Sequence, residues 1–318
     1  MRGVIAASTS SLKSIATSIG NTPLIRLSRV TRDVDPDVVV LAKAEHLNPG
    51  GSVKDRPALA MILDAERRGV LRAGKTILDA SSGNTGIAYG MIGAAKGYEV
   101  TLCLPANASP ERKQILTAYG VEIIETNALE GTDGAQVLAR ELAQEFPERY
   151  AYLDQYNNEA NWRAHYETTS EEIWEQSEGC VTHFVAGLGT SGTFTGISRR
   201  LKEHNPQVMA IALQPDSPLH GIEGLKHLAT ARVPGIYDPA LADTHVVVAT
   251  EEAMEMKQRL AKEEGLFVGS SSGANVFAAL RLARSVPPGS VVVTILCDGG
   301  ERYLSDGSSL SPNAKGSG

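Results

Sequence analysis

The chain has 318 residues, of which 42% are hydrophobic and 5% are aromatic. This length suggests about two domains, with enough apolar residues to bury a core without a disulfide or metal. Thirty Lys and Arg against 37 Asp and Glu give a net charge of -7, which argues against a basic surface for nucleic acid or anionic membrane. The longest apolar runs, such as Val291 to Leu296, are far shorter than the roughly 20 residues of a membrane span.

The N-terminal residues Met1 to Ala7 contain too few apolar side chains for the core of a signal peptide, so we expect a cytoplasmic protein. The three cysteines, Cys103, Cys180 and Cys297, are an odd number without the spacing of metal ligands. We interpret all three as reduced core residues and expect neither a disulfide nor a metal site.

From about residue 75 onward, short β-branched runs alternate with helical patterns. Helices are predicted over 84–96, 110–119 and 133–145, and Ser109 before Pro110 offers a capping hydroxyl and a proline in the first turn. The alternation predicts parallel sheets covered by helices on both faces. The polar stretch Gln155 to Trp162 interrupts it, and we interpret this stretch as a hinge between two α/β halves. The predicted strands are 75–79, 100–104, 121–125, 182–186, 208–214, 245–249, 266–268 and 291–297.

The loop Asn48 to Pro57 runs into a helical pattern over 55–68, which places Lys54 at the start of a helix. The positive end of the helix dipole disfavours a cation there. The position therefore suggests an amine that works in its neutral or imine form. A solvent-exposed lysine beside Asp55 is the alternative.

Three later loops also lie between a predicted strand and a helix, where ligands of parallel sheets bind. Asp79 to Gly86 combines free backbone N–H groups with hydroxyl side chains and suits a carboxylate, although a plain glycine-rich turn is an alternative. Gly187 to Thr193 combines glycines with the hydroxyls of a phosphate site. Gly269 to Ala274 offers a further hydroxyl to the same cleft.

The loop Gly187 to Thr193 also matches G-x-G-x-x-G, the fingerprint of a dinucleotide site. That fingerprint requires an acidic residue about 20 positions on, at the end of the next strand, whereas Glu203 falls within the predicted helix. The hydroxyls of Thr190, Ser191 and Thr193 suit a phosphate monoester better than a diphosphate. A dinucleotide-binding oxidoreductase nevertheless stays open as an alternative.

Taken together, the loops resemble the β-family (fold type II) of pyridoxal-phosphate enzymes, and specifically the cysteine synthases, or O-acetylserine sulfhydrylases. The segments Gln214 to His227, Asp154 to Tyr166 and Cys297 to Asp298 resemble the B-type more than the A-type. The resemblance covers nearly the whole chain and implies an α/β fold of two open, mostly parallel twisted sheets covered by helices. It rests on seven ordered segments: Gly20 to Leu24, Asn48 to Arg56, Ser81 to Gly86, Asp154 to Asn158, Gly187 to Thr193, Gly269 to Ala274 and Asp298 to Ser305.

The resemblance implies that the cofactor is pyridoxal 5'-phosphate and that Lys54 binds its aldehyde and later moves the substrate α-proton. Asn84 would bind the ring hydroxyl oxygen, and Ser271 would face the pyridine nitrogen. Ser191 departs from the family, where Gly or Thr is common at this position. The cofactor phosphate would lie on Gly189, Thr190, Ser191, Gly192 and Thr193, and the substrate carboxylate on Ser81, Ser82, Thr85 and Gln155.

The implied reaction is a β-replacement that forms L-cysteine from O-acetyl-L-serine and sulfide through an aminoacrylate intermediate. A hydroxyl opposite the pyridine nitrogen makes the ring a weaker electron sink than a carboxylate would, which favours loss of a β-substituent. Lys226 and His227 stand where B-type enzymes have two arginines. Lys226 is therefore a candidate substrate residue and thiosulfate a candidate sulfur donor, although an exposed pair on a loop is equally compatible.

Two alternatives remain within the same family. Phosphoserine-using relatives have an arginine at about the position of Asp216, and the acidic residue here favours O-acetylserine. Leu153 to Trp174 also resembles cystathionine β-synthase, although the chain ends soon after Ser305 and we expect neither that enzyme's regulatory domain nor its haem-binding arm.

The resemblance further implies a smaller mobile domain over 47–158, which carries the carboxylate loop, and a larger domain made of 1–46 and 159–306, which carries the phosphate loop. Residues 307–318 are rich in Ser and Gly and are expected to be a disordered tail. We expect a homodimer whose small-molecule partners are an amino acid and sulfide. No nucleic acid or membrane partner is expected, and no feature of the sequence supports serine acetyltransferase as a partner.

Overall fold

The computed structural model describes residues 14–81 and 83–304. These residues form two sheets with helices on both faces, so the predicted α/β fold is confirmed. The strands are β1 (Leu24–Arg26), β2 (Val39–Ala44), β3 (Thr76–Ala80), β4 (Val100–Pro105), β5 (Glu122–Thr126), β6 (Tyr150–Tyr152), β7 (His183–Gly187), β8 (Met209–Pro215), β9 (Thr244–Val248) and β10 (Val291–Leu296).

The helices supply most of the buried side chains that cover the two sheets. Two π-helical turns, His165–Thr169 and Leu260–Glu264, continue α5 and α8 respectively. The α-helices are α1 (Asp55–Arg67), α2 (Asn84–Lys96), α3 (Pro110–Ala118), α4 (Gly131–Glu145), α5 (Glu159–Ala164), α6 (Ser170–Gln176), α7 (Gly192–His204), α8 (Thr250–Arg259) and α9 (Ser270–Ala283).

The larger sheet has six strands in the order β1-β2-β10-β7-β8-β9, all parallel except β1. Val293 of β10 pairs with Leu41 of β2 on one side and Phe184 of β7 on the other. Successive side chains of a strand point to opposite faces. Accordingly Phe184 packs into the core beneath α7, whereas Val185 packs into the core beneath α8 and α9. Burial on both faces explains the continuous apolar runs of these strands.

The smaller sheet has four parallel strands in the order β5-β4-β3-β6. Helices α1 and α2 cover one face, and α4 covers the other through Ala135 and Ala139. Helix α2 lies very close to this sheet. A Cβ atom on Gly86 or Gly93 would lie 2.7 and 2.6 Å from Leu102 and Val100 side-chain atoms, so glycine is needed at both positions. This close approach fixes the start of α2 directly beyond β3.

The prediction of secondary structure is right for most elements and wrong for one. Helix α2 has the predicted bounds, and the Ser109 hydroxyl caps α3 by accepting from the Arg112 N–H. The predicted strand 266–268 is wrong, because Val268 makes only an isolated bridge to Gly299 and β10 is already flanked by β2 and β7. The short strands β1 and β6 and the strand β2 were not predicted.

Several other predictions can be compared with the described residues. Cys103 is buried and reduced as predicted, but Cys180 is exposed and Cys297 is half-buried, so the interpretation of these two as core residues is wrong. No helix within 14–81 and 83–304 is long and apolar enough to cross a membrane. Residues Met1 to Ala7, Ser82 and the tail 307–318 lie outside the described residues.

A cluster of four charged residues, Lys43, Glu45, Arg56 and Glu172, links β2, α1 and α6. The first three are buried, and the Glu172 side chain is 14% exposed. We call these four residues the buried ion cluster. Arg56 donates to both oxygens of Glu45 at 2.8 Å and to both oxygens of Glu172 at 2.6 and 2.7 Å. Lys43 is completely buried and lies 2.7 Å from Glu172. Two cations therefore balance two anions, which fixes the first turn of α1 against the larger sheet.

We expect Arg56→Ala to lower the free energy of unfolding by about 3–5 kcal/mol, because it leaves the buried carboxylate of Glu45 and the half-buried one of Glu172 beside a single cation. Arg67→Ala, in the last turn of the same helix, is the matched control. The Arg67 side chain is 78% exposed, so its pair with Asp64 is expected to contribute less than about 1 kcal/mol. Urea unfolding followed by circular dichroism measures both losses, and equal losses would contradict the role of the cluster.

The cluster also predicts an acid-sensitive stability. Burial of Glu172 opposes ionisation, but hydrogen bonds and charge from Arg56 and Lys43 outweigh it and lower its pKa from 4.5 to about 2. Glu172 therefore contributes stability that is present above its ordinary pKa and is lost as the pH falls toward the folded-state value. Between about pH 5 and pH 3, the wild type should lose about 1–2 kcal/mol more than Glu172→Gln. Parallel pH profiles for the two proteins would contradict this expectation.

Candidate active site

A cavity of about 390 Å³ lies between the carboxyl ends of the two sheets, and all four loops singled out in the sequence reach it. Its size is in the range of small-molecule sites. Among the predicted site residues, those that line it are Lys54, Ser81, Asn84, Thr85, Gln155, Gly189, Thr190, Ser191, Thr193, Lys226 and Ser271. Gly192 begins α7 just behind the lining, and Ser82 is outside the described residues.

Lys54 is the residue immediately before α1, as predicted, and its half-buried side chain lines the cavity. Burial lowers the pKa of Lys54, against the opposing influence of Cys297, Asp298 and Glu45. The positive end of the α1 dipole acts in the same direction as burial. A lysine in this setting releases its proton more readily than an exposed one and can serve as a neutral amine.

The loop Gly187 to Thr193 connects β7 to α7 and has the geometry of an anion cradle. The first backbone N–H groups of a helix have no intrahelical acceptor, and those of α7 begin at this loop. Thr190 and Ser191 are buried, and a Cβ atom on Gly189 would collide with the Gly224 carbonyl oxygen. Ser191 has a φ of 67°, in the left-handed region that favours glycine, which is one of the two residues that the resemblance leads us to expect at this position.

Two buried residues behind this loop were not singled out from the sequence. Asn161 donates from Nδ2 to the Gln155 carbonyl oxygen at 2.7 Å and to Thr190 Oγ1 at 3.3 Å, and so links the two predicted binding loops. His165 lies with Nε2 3.3 Å from Thr193 Oγ1 and Nδ1 2.9 Å from Thr169 Oγ1. Burial, with the charges of Arg56 and Lys54, holds its pKa well below the usual range, so the imidazole is neutral.

The polar side chains of the carboxylate loop mainly bond to one another. Ser81 Oγ accepts from the Gly86 N–H at 3.0 Å, and Thr85 Oγ1 donates to Gln155 Oε1 at 2.7 Å. Gln155 Nε2 in turn donates to the Ala80 carbonyl oxygen at 2.8 Å. These bonds hold the start of α2 in the cavity wall, where its free backbone N–H groups can bind a carboxylate.

The remaining wall is formed by α9 and by the segment that follows β10. Ser271, in the first turn of α9, lines the cavity and hydrogen-bonds to the Cys297 thiol. Burial, together with Asp298, raises the pKa of Cys297 to about 11, so its thiol stays protonated. Asn84 donates from Nδ2 to Asp298 Oδ2 at 2.7 Å. Asn84 and Ser271 thus offer neutral polar groups to the cavity.

The loop 216–228 lines part of the cavity and makes two ion pairs with residues outside the loop. Glu223 pairs with Arg112 of α3, and Lys226 lies 3.5 Å from Asp133 of α4 and over the ring of Tyr156. Both pairs join this loop to helices that pack on the smaller sheet. The other two residues that the sequence singled out here are turned away: Asp216 is exposed outside the lining, and His227 bonds to Thr230.

The residues present fit pyridoxal 5'-phosphate. The cavity combines a readily deprotonated amine at Lys54, an anion cradle at the start of α7, and the neutral side chains of Asn84 and Ser271. A phosphate monoester and a ring with polar substituents require these features. Glu203, the acidic residue considered for a dinucleotide, lies on α7, accepts from the Tyr166 hydroxyl at 2.6 Å and does not line the cavity.

Known proteins match the chain over almost its whole length. A family model described as pyridoxal-phosphate dependent enzyme matches residues 15–298. The chain is 52% identical to the cysteine synthase of Aquifex aeolicus, over 90% of this chain and 89% of that protein. It is 47% identical to cysteine synthase B of Pseudomonas aeruginosa, over 92% of this chain and 96% of that protein. The crystal structure of cysteine synthase from Entamoeba histolytica, 33% identical, gives a TM-score of 0.90 and covers 99% of this chain and 96% of that one.

These similarities confirm the resemblance to cysteine synthases that the loops indicated, and with it pyridoxal 5'-phosphate as the cofactor. They do not favour a dinucleotide-binding oxidoreductase. The chain belongs to the family of pyridoxal-phosphate-dependent enzymes.

Proposed function

We propose that the protein forms L-cysteine and acetate from O-acetyl-L-serine and sulfide, with pyridoxal 5'-phosphate as cofactor. The observation that carries this proposal is the position of Lys54, an amine with a lowered pKa between an anion cradle at α7 and the open start of α2. The relatives named cysteine synthase support this reaction over the cystathionine and phosphoserine alternatives.

When bound, the cofactor supplies an electron sink, which allows the substrate α-proton and then the β-acetoxy group to leave. Lys54 Nζ accepts the α-proton, because burial makes its neutral amine available and the loop before α1 holds it in place. The backbone N–H groups at the start of α2 bind the substrate carboxylate. Thr85 and Gln155 contribute by holding that loop in shape through their mutual hydrogen bond.

The rest of the cavity positions the cofactor and excludes water. The loop Gly189 to Thr193 binds the phosphate, Ser271 faces the pyridine nitrogen and Asn84 binds the ring hydroxyl oxygen. The smaller domain, 47–158, closes on the larger one. Arg112 and Asp133 lie on the smaller domain and pair with the loop 216–228 on the larger, so these two ion pairs hold the mouth closed.

The assembly and location of the protein are part of this proposal. The resemblance to cysteine synthases supports a homodimer in the cytoplasm whose ligands are small molecules. Thiosulfate is proposed as an additional sulfur donor, bound by Lys226. The Lys226 side chain is only 13% exposed and its distance of 3.5 Å from Asp133 is long for an ion pair, so an anion that enters the cavity can replace this partner.

We expect Lys54→Ala to lower kcat/KM for O-acetyl-L-serine and sulfide by about a thousandfold or more, because the proton acceptor is removed. The free energy of unfolding should change little, since a half-buried amine at a cavity contributes few packing contacts. Lys75→Ala is the control, because this half-buried lysine lies outside the cavity lining and donates to the Pro147 carbonyl oxygen at the surface. Cysteine formation and urea unfolding are measured for all three proteins.

Cysteine formation by Lys54→Ala tests the mechanism, and the visible absorbance of the cofactor in the wild type tests the substrate. Retained turnover in Lys54→Ala would contradict the mechanism. A wild-type protein whose visible cofactor band responds to O-phospho-L-serine or to L-serine with homocysteine, and not to O-acetyl-L-serine, would replace the proposed reaction by one of the two alternatives within the family.

We expect Lys226→Met to lower kcat/KM for thiosulfate by about tenfold and for sulfide by about twofold or less, because the doubly charged donor gains more from a nearby cation. Asp133→Asn is the paired variant. It removes the competing carboxylate and should raise thiosulfate use. Equal effects of Lys226→Met on both donors would mean that Lys226 only holds the loop.

A further inference from the structure

The segment after β10, residues 297–303, contacts three of the loops that form the cavity. The Cys297 carbonyl oxygen accepts from the Val53 N–H at 2.8 Å, next to Lys54. The Asp298 carbonyl oxygen accepts from the Gly269 N–H at 3.1 Å, at the start of α9. Side chains of the same segment reach Asn84 at the start of α2. We call residues 297–303 the clamp segment.

Asp298 is 1% exposed, and its carboxylate is held by the start of α2 and by its own segment. Oδ2 accepts from Asn84 Nδ2 at 2.7 Å and from the Tyr303 hydroxyl. Oδ1 has no hydrogen-bond partner among the described residues and lies against Gly269, where a Cβ atom would collide with it. A buried carboxylate oxygen without a hydrogen-bond partner costs free energy, which indicates that the bonds of the other oxygen serve a function.

Arg302 approaches the other end of the same amide. It is 6% exposed and donates from Nη1 to Asn84 Oδ1 and from Nη2 to the Gly50 carbonyl oxygen. An anion therefore accepts from the Asn84 nitrogen while a cation donates to its oxygen. A flipped amide would place its oxygen against the Asp298 carboxylate and its nitrogen against the Arg302 guanidinium, which are both repulsive.

We propose that Asp298 and Arg302 are positioning residues that fix the orientation of the Asn84 amide toward the cofactor. Nδ2 has two N–H groups and gives one to Asp298, which leaves the other for an acceptor in the cavity. Under the proposed function, on which this inference rests, that acceptor is the ring hydroxyl oxygen of pyridoxal 5'-phosphate. Donation from nitrogen favours the deprotonated form of this oxygen. Asp298 and Arg302 thus act on the cofactor through Asn84, since neither of the two side chains lines the cavity.

The test is a double-mutant cycle on cofactor affinity, measured by titrating the cofactor-free protein with pyridoxal 5'-phosphate and following tryptophan fluorescence and the visible band. Asn84→Ala and Asp298→Ala should each weaken binding by about tenfold, the loss of one hydrogen bond to a fixed group. The double variant should be no weaker than Asn84→Ala, because Asp298 acts only through that amide. Glu148→Gln, which removes a carboxylate that is 84% exposed and lies outside the cavity lining, should bind as the wild type does.

Additive losses in the double variant, or wild-type affinity in Asp298→Ala, would overturn the proposal. Circular dichroism and thermal unfolding establish that each variant is folded. If Asp298→Ala is not, Asp298→Leu takes its place in the same cycle, since it removes both acceptor oxygens while keeping a side chain of similar size. A wild-type protein that does not bind pyridoxal 5'-phosphate would overturn the proposed function itself, whereas tight wild-type binding with additive losses would overturn only the role of the clamp segment.

Discussion

The site depends first on the charge balance of the buried ion cluster, whose member Arg56 lies two residues beyond Lys54. Arg56 is buried and compensates the carboxylates of Glu45, which is also buried, and of Glu172, which is 14% exposed. Removing one member would leave a buried charge without a partner, so the cluster holds only in one arrangement. Because Arg56 is in the first turn of α1, this arrangement also decides where the Lys54 side chain enters the cavity.

Four helices begin at the cavity, and this determines its electrostatic character. The starts of α1, α2, α7 and α9 bring unpaired backbone N–H groups and the positive ends of their dipoles to one place. Such a place attracts anions and disfavours a protonated lysine. A phosphate, a substrate carboxylate and a neutral amine at Lys54 are therefore compatible there, and each is required by the proposed β-replacement.

Polar side chains that follow strands of the larger sheet contact side chains on the helices that pack on the smaller sheet. Asp298 and Arg302 hold the Asn84 amide from both ends, and Glu223 and Lys226 pair with Arg112 and Asp133. Asp298, Arg302 and Asp133 lie outside the cavity lining. They act by restricting how the two walls of the cavity meet, which gives the site one geometry rather than several.

The sequence by itself determined the alternation of strands and helices, the four loops at helix starts and the resemblance that named Lys54, because these are local patterns of residue type and spacing. It could not identify Asn161, His165 or the partners of Asn84, because hydrogen bonds between residues up to 218 positions apart leave no local pattern. It also misjudged the run 266–268 as a strand. A strand exists only where a neighbour has free backbone groups, and only the tertiary structure decides which neighbours those are.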